Sequence, residues 1–242
     1  MNVELISATY NPILTMWVSA RTCYSSETPI EMWNNTKEKP IESCWKLIKT
    51  ILDSGHCSIA EHVNMTFAIE GISRACSHQL VRHRHCTFSQ QSQRYVEIKE
   101  SKQYLLEVLD RYDGAEMEAI CDKYFVKYKD RICSDLIRTL CNYRDMIDGG
   151  CKPEDARSVL PNATKTNLVM TCNLRELMHI CNLRLCTRSQ YEIRELVTRM
   201  REQAVLYERH FAELLMPQCE VHGFCTEAKC CGHKPKISDI MK

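Results

Sequence analysis

The chain has 242 residues, 44% hydrophobic and 26% charged, the balance of a folded globular protein. Its formal net charge of +1 lacks the basic excess of a general polyanion binder. No apolar run approaches the ~20 residues of a bilayer crossing, MNVELISATY has no signal-peptide pattern, and neither G-x-G-x-x-G nor G-x-x-x-x-G-K-[ST] occurs. A membrane protein and a Rossmann dinucleotide unit are therefore disfavoured, and a soluble, cytoplasmic chain is expected.

In chain order, Val3–Ala8 has the apolar content of a short strand. A helix is predicted from Pro40 to Asp53, with Pro40 tolerated in its first turn and Gly55 just past its end. Val63, Met65, Phe67 and Ile69 alternate with Asn64, Thr66 and Ala68, which predicts a strand with one buried face. Gly71 closes it, and Ser73 can cap a helix reaching about Arg82. Apolar residues recur at three- and four-residue steps over 113–148, a long helix started by Asp113 and stopped at Gly149-Gly150. Thr166–Thr171 reads as a strand, Asn173 as the cap of a helix over 174–185, and 188–215 as a second long helix. The sum is α+β: a single mixed domain over residues 1–216, mostly helical with a small β-sheet, followed by a Cys/His-rich tail over 217–242.

Sixteen cysteines without a secretion signal are expected to be mainly reduced thiols serving as small hydrophobes. The tail differs. Cys219, His222, Cys225, Cys230, Cys231 and His233 crowd together there, but their spacing fits no paired C-x2-C pattern. Zinc, a disulfide and free thiols stay open for it, and no metal is assigned.

The chemistry concentrates elsewhere. From Gly71 to Val96 there is no acidic residue, while Arg74, Arg82, Arg84 and Arg94 alternate with His78, His83 and His85. Arginines gathered at a helix end and its following loop suit bidentate recognition of phosphate. Gln79, Gln90, Gln91, Ser92, Gln93 and Tyr95 lie among them, neutral donors and acceptors that read a base edge or a sugar. A solvated basic face would need no such mixture. The expected ligand is phosphorylated and carries a heterocycle.

Arg82-His83-Arg84, then seven residues, then Ser92-Gln93-Arg94-Tyr95, resembles the signature of the flavin-dependent thymidylate synthases. Gly55-His56-Cys57-Ser58-Ile59-Ala60-Glu61-His62 is similar to that family's upstream G-H-x-S-x-x-E-H segment. Ala156-Arg157-Ser158-Val159-Leu160-Pro161 is similar to its A-R-x-x-L-P turn, and Asn173-Leu174-Arg175-Glu176-Leu177, His179 and Asn182-Leu183-Arg184 to its later elements. The likeness covers roughly residues 15–216 and implies that family's fold type.

The resemblance implies FAD-dependent reductive methylation of dUMP to dTMP, with 5,10-methylenetetrahydrofolate as carbon donor and NADPH as reductant. It also implies a homotetramer with active sites shared between subunits, small-molecule substrates, and neither nucleic acid nor membrane as partner. Arg82, His83 and Arg84 match positions against the FAD, Arg82 also near the nucleotide. Ser58, Asn173, Arg175 and His179 match cofactor contacts, His56 lies beside the flavin, and Gln90 joins this set where many members carry Glu. Gln79, Gln91, Ser92, Gln93, Arg94 and Arg157 match the nucleotide pocket. Arg184 matches the arginine assigned to polarise the uracil and is the expected catalytic residue. For His85 and Cys86, where small or apolar residues are common, the sequence offers no reason.

Helical geometry adds an independent expectation. Over 174–185, Arg175 and His179 stand one turn apart, whereas Arg184 is rotated by roughly 140° from His179. Arg175 and Arg184 are therefore expected to serve different active sites of the oligomer.

Other chemistries fit less well. Cys86, set amid Arg and His, is the best candidate for a thiolate nucleophile but falls outside the matched positions. Ser92 lacks a G-x-S-x-G elbow and reads as a ligand contact. His56, Glu61 and His62 do not form H-E-x-x-H. A nucleic-acid binder would explain the basic stretch and the tail together, but neither Arg157 before Leu-Pro nor the Asn173–Arg184 element, and aromatics are only 7%.

Overall fold

The computed structural model describes residues 1–98, 135 and 138–240. It divides into two compact units, one of residues 1–72, 76–89 and 167–242, the other of 73–75 and 90–166.

The first unit is built on a four-stranded sheet. Strand β1 (Asn2–Ala8) pairs antiparallel with β2 (Asn64–Ser73), Leu5 opposite Phe67 and Val3 opposite Ile69. The register shifts between Leu5 and Ser7, leaving Ile6 turned outward. The strand order is β1-β2-β4-β3, with β4 at Lys165–Asn173 and β3 at Cys86–Gln90. Alternation in β2 does what its sequence predicts: Met65, Phe67 and Ile69 are buried, as are Leu168, Met170 and Cys172 of β4. Thr66 and Thr171 share a hydroxyl hydrogen bond of 3.0 Å from one strand to the other.

Helices cover this core. Helix α1 (Pro12–Thr22) packs on α3 (Ile41–Asp53), which buries Cys44, Trp45, Ile48 and Leu52 along one stripe. Pro40 is the residue before α3 rather than inside it, and Gly55 at φ 90° turns the chain away beyond its end. Between them, α2 (Pro29–Asn34) starts with a capping box in which Thr28 and Glu31 satisfy each other's backbone N–H. Helix α4 (Arg74–Leu80) follows β2 directly and is shorter than expected. Helix α6 (Leu174–Arg184), with α5 at Pro153–Ala156, begins where Asn173 Oδ1 accepts from Glu176 N at 2.9 Å, as its capping role requires. Helix α7 (Tyr191–Tyr207) packs on β1 and α6 through Ile193, Leu196, Val197, Met200 and Ala204. It is shorter than the predicted 188–215, because the chain continues as a 3₁₀ segment over Arg209–Glu213. The tail holds α8 (Gln218–His222), which lies against α6, and a bridge between Cys225 and Lys236.

In the second unit residues 138–148 are helical and stop at Gly149-Gly150, the predicted end. The earlier part of the expected 113–148 helix lies outside the described residues, apart from helical Asp135. Among the described residues no helix is long and apolar enough to cross a membrane.

Besides the short helices α2, α5 and α8, helix α1 and strand β3 have no counterpart in the sequence reading. Helix α1 buries Pro12, Ile13, Leu14, Met16, Trp17 and Ala20, so apolar residues cover most of its circumference and no clean stripe marks it. Strand β3 is only half-buried at alternate positions and is crowded with polar residues. The described cysteines are free thiols; Cys44, Cys76, Cys172 and Cys181 are buried, whereas Cys23 and Cys141 are exposed.

Phe67 is fully buried at the centre of β2. Phe67→Ala is expected to lower the unfolding free energy by roughly 3–5 kcal/mol, read from denaturant melts, because the sheet cannot collapse into the vacated space.

Candidate active site

The acid-free stretch turns out to be served by carboxylates from distant parts of the chain. In the first unit, His83 lies just past α4 with its ring only 5% exposed. Arg184, in the last turn of α6, donates from Nε to His83 Nε2 at 3.2 Å. Glu176, in the first turn of the same helix and 8% exposed, places Oε1 3.5 Å from His83 Nδ1. The His179 ring meets that of His83 edge-on at 6.0 Å between centroids. One buried imidazole thus gathers three residues of α6.

Burial, then the positive charge of Arg184 and the neighbouring His179, hold the His83 pKa down at about 4. The imidazole is neutral at neutral pH, which fits its geometry, since an arginine N–H can only donate and needs a lone pair opposite.

The residues expected to contact the cofactor, Gln90 apart, lie in the same unit. The 3₁₀ segment Cys57–His62 packs on α6, and Leu174 N donates to Val63 O at 2.7 Å. This brings His56 and Ser58, both exposed, to the element that carries Arg175 and His179. Arg175 forms an ion pair with Glu61. Arg82 and Arg84 flank His83 and face solvent, and among the described residues neither is paired with a carboxylate. Gln79 is half-buried on α4. Exposed, uncompensated guanidinium groups beside a short helix match the two phosphates of a dinucleotide cofactor, so this donor set fits FAD.

The second unit holds the remaining predicted residues. Arg94 pairs with Glu154 of α5 at 3.1 Å, and Arg157 Nε donates to the Glu154 carbonyl at 3.0 Å. One glutamate therefore collects two of the predicted nucleotide arginines. Ser92 Oγ accepts from Arg94 N at 3.2 Å, shaping the turn that presents Gln91, Ser92 and Gln93. Gln90 Nε2 donates to Thr166 Oγ1 at 3.1 Å.

Glu61, Glu154 and Glu176 escaped assignment from the sequence. Glu61 and Glu176 sit inside quoted motifs, and Glu154 lies just before one. Glu176 follows Arg175, at the first-turn position where acids usually serve the helix end. Cys86 also gains a reason: its thiol hydrogen-bonds Cys172 of β4, and this bond, with burial, pushes the Cys172 thiol well above the ordinary range. Among the described residues no group of three His, Cys, Asp or Glu side chains is arranged to hold a metal ion.

The model of the family described as thymidylate synthase complementing protein matches residues 4–206. A flavin-dependent thymidylate synthase of Pyrococcus furiosus is 37% identical over 232 residues, covering 94% of this chain and 90% of the relative. One of Nitratidesulfovibrio vulgaris is 37% identical over 242 residues, 96% and 95% of the two chains. The chain belongs to the flavin-dependent thymidylate synthase family. Solved structures show the family fold as well. The flavin-dependent thymidylate synthase ThyX of Helicobacter pylori, complexed with FAD and dUMP, aligns with TM-score 0.66 at 21% identity over 89% of this chain and all of that one. The UMP/dUMP methylase PolB of Streptomyces cacaoi, bound with 5-Br dUMP, gives 0.69 at 24% identity over 88% and 95%.

The depressed His83 pKa has a consequence for stability. Unfolded, the imidazole titrates near 6.5, so between about 6.5 and 4 the unfolded chain binds the extra proton. This contribution is complete above pH 6.5 and lost as pH falls toward 4, by about 3 kcal/mol in all. In denaturant melts from pH 7 to pH 4.5, His83→Gln is expected to show a shallower loss of stability than the unaltered protein.

Proposed function

We propose that this chain makes dTMP from dUMP by FAD-dependent reductive methylation, with 5,10-methylenetetrahydrofolate as carbon donor and NADPH as reductant. The observation that carries this reading is the α4–α6 constellation, in a chain related along nearly its whole length to flavin-dependent thymidylate synthases. There, solvent-facing Arg82 and Arg84 accompany a half-buried Arg184 oriented by a neutral histidine.

Arg82 and Arg84 would hold the cofactor phosphates, with His56 and Ser58 contributing from the segment packed on α6, and Asn173, Arg175 and His179 from the cap and body of α6. When bound, FAD would supply the hydride that the chain's own side chains cannot provide. Gln79, Gln91, Ser92, Gln93, Arg94 and Arg157 are assigned to dUMP. His83, with its ring inside, acts on a ligand through Arg184 rather than by touching it. Arg184 is assigned to the uracil, where a fixed cation stabilises negative charge developing on the pyrimidine. The preorganisation is physical: Nε is already committed to His83, so the guanidinium plane is set before substrate arrives.

The assembly is a homotetramer in this reading, with Arg175 and Arg184 of one chain serving different active sites. Mixed tetramers of Arg175→Ala and Arg184→Ala chains then regain activity above either parent. The reaction is tested anaerobically as dTMP formation from dUMP, methylenetetrahydrofolate and NADPH, before and after stripping and restoring FAD. Product that returns only with FAD is expected, and Arg184→Ala should lower kcat by about 100-fold or more. A flavin-loaded protein making no dTMP would refute the reading.

A further inference from the structure

The Glu176 carboxylate belongs to no ligand set assigned above, yet it is buried against the one residue that orients Arg184. Its backbone N–H already receives the Asn173 cap, so the helix start does not need this side chain. A buried carboxylate is costly unless partnered, and the group facing this one is Nδ1 of His83.

Proton placement follows from donor and acceptor counting. Arg184 Nε carries a hydrogen and no lone pair, so the Nε2 atom facing it must be the acceptor. A neutral imidazole with a lone pair on Nε2 carries its proton on Nδ1. On that side of the ring stands Glu176 Oε1, 3.5 Å from Nδ1, a carboxylate oxygen able to accept from it. The other tautomer would set two N–H groups against each other at Arg184 and two lone pairs against each other at Glu176. Which ring nitrogen of a histidine is protonated is decided by what faces the other one.

We propose that Glu176 is a positioning residue for the thymidylate synthase reaction: its carboxylate holds His83 in the Nδ1–H tautomer, and His83 thereby fixes the Arg184 guanidinium plane, leaving Nη1 and Nη2 for the substrate. This rests on the assignment of Arg184 to the uracil. The chain is mechanical rather than titrating: no proton moves along it, and Glu176 touches neither substrate nor cofactor. The His179 ring stands beside it, 6.0 Å away between centroids and edge-on.

The test uses the FAD-loaded enzyme with Glu176→Gln, His83→Gln and the double variant. A glutamine at 83 offers Arg184 a carbonyl oxygen that needs no tautomer control. Glu176→Gln is expected to lower kcat about tenfold or more in the unaltered background, with FAD content and Tm retained, and less than twofold in the His83→Gln background. Equal losses in both backgrounds would assign Glu176 to packing alone and overturn the proposal, as would full kcat in Glu176→Gln. Imidazole ¹⁵N NMR of the unaltered holoenzyme, with the His83 signal identified by its loss in His83→Gln, needs no Glu176 variant. A proton on Nδ1 is expected; a proton on Nε2 would overturn the tautomer assignment. Full turnover by Arg184→Ala would instead remove the underlying assignment and the positioning role with it, while NMR would still decide the tautomer separately.

Discussion

The contact between Arg184 Nε and His83 Nε2 is the constraint around which the first unit's chemistry is arranged. A guanidinium can only donate, so this bond requires a neutral imidazole, and a neutral imidazole is what burial produces. Desolvation that would be a defect for a charged histidine here serves the geometry. It also turns the middle residue of the Arg82-His83-Arg84 triplet inward while its neighbours face solvent.

A second regularity is the use of carboxylates as fixtures. The stretch from Gly71 to Val96 contains no acid, and each acid that organises it comes from far along the chain. Glu176 meets His83, and Glu154 meets Arg94 while its carbonyl receives Arg157. Glu61 likewise holds Arg175. Placing the anions on other elements lets the basic segment stay locally uncompensated at Arg82 and Arg84, where an anionic ligand can supply the missing charge. An exposed ion pair is worth little for stability, so these pairs matter more for where they hold a guanidinium than for the energy they add.

The cysteines divide by environment rather than by count. Cys76, Cys172 and Cys181 are core residues, and Cys86 is tied to the core by its hydrogen bond with Cys172. The tail cysteines pack beside α6, where Cys186, Cys219, Cys225 and Cys231 line a cavity of about 170 Å³ with Asn182 and His233. The tail is therefore part of the first unit's packing.

Strands β1, β2 and β4, helices α3 and α6 and the stop at Gly149-Gly150 were legible because their signals are local. Alternation, caps and glycine stops act over a few residues, and Asn173 caps α6 by the same chemistry that marks it in the sequence. Helix α1 and strand β3 were not legible, since one is apolar on most sides and the other half-buried and polar. The motif residues, the family and the basic, acid-free character of 71–96 were likewise determined by the sequence alone. The partners of those residues were not. Arg175 and His179, one turn apart, look like a pair, yet Arg175 goes to Glu61 while His179 and Arg184 converge on one ring. Burial of His83, and with it the charge and tautomer of its imidazole, depends on α6 meeting the residues just past α4, a contact between residues 101 apart in the chain. Local sequence sets propensity and chemistry; desolvation is a property of the assembled core, so only the tertiary structure decided which of these groups orients which.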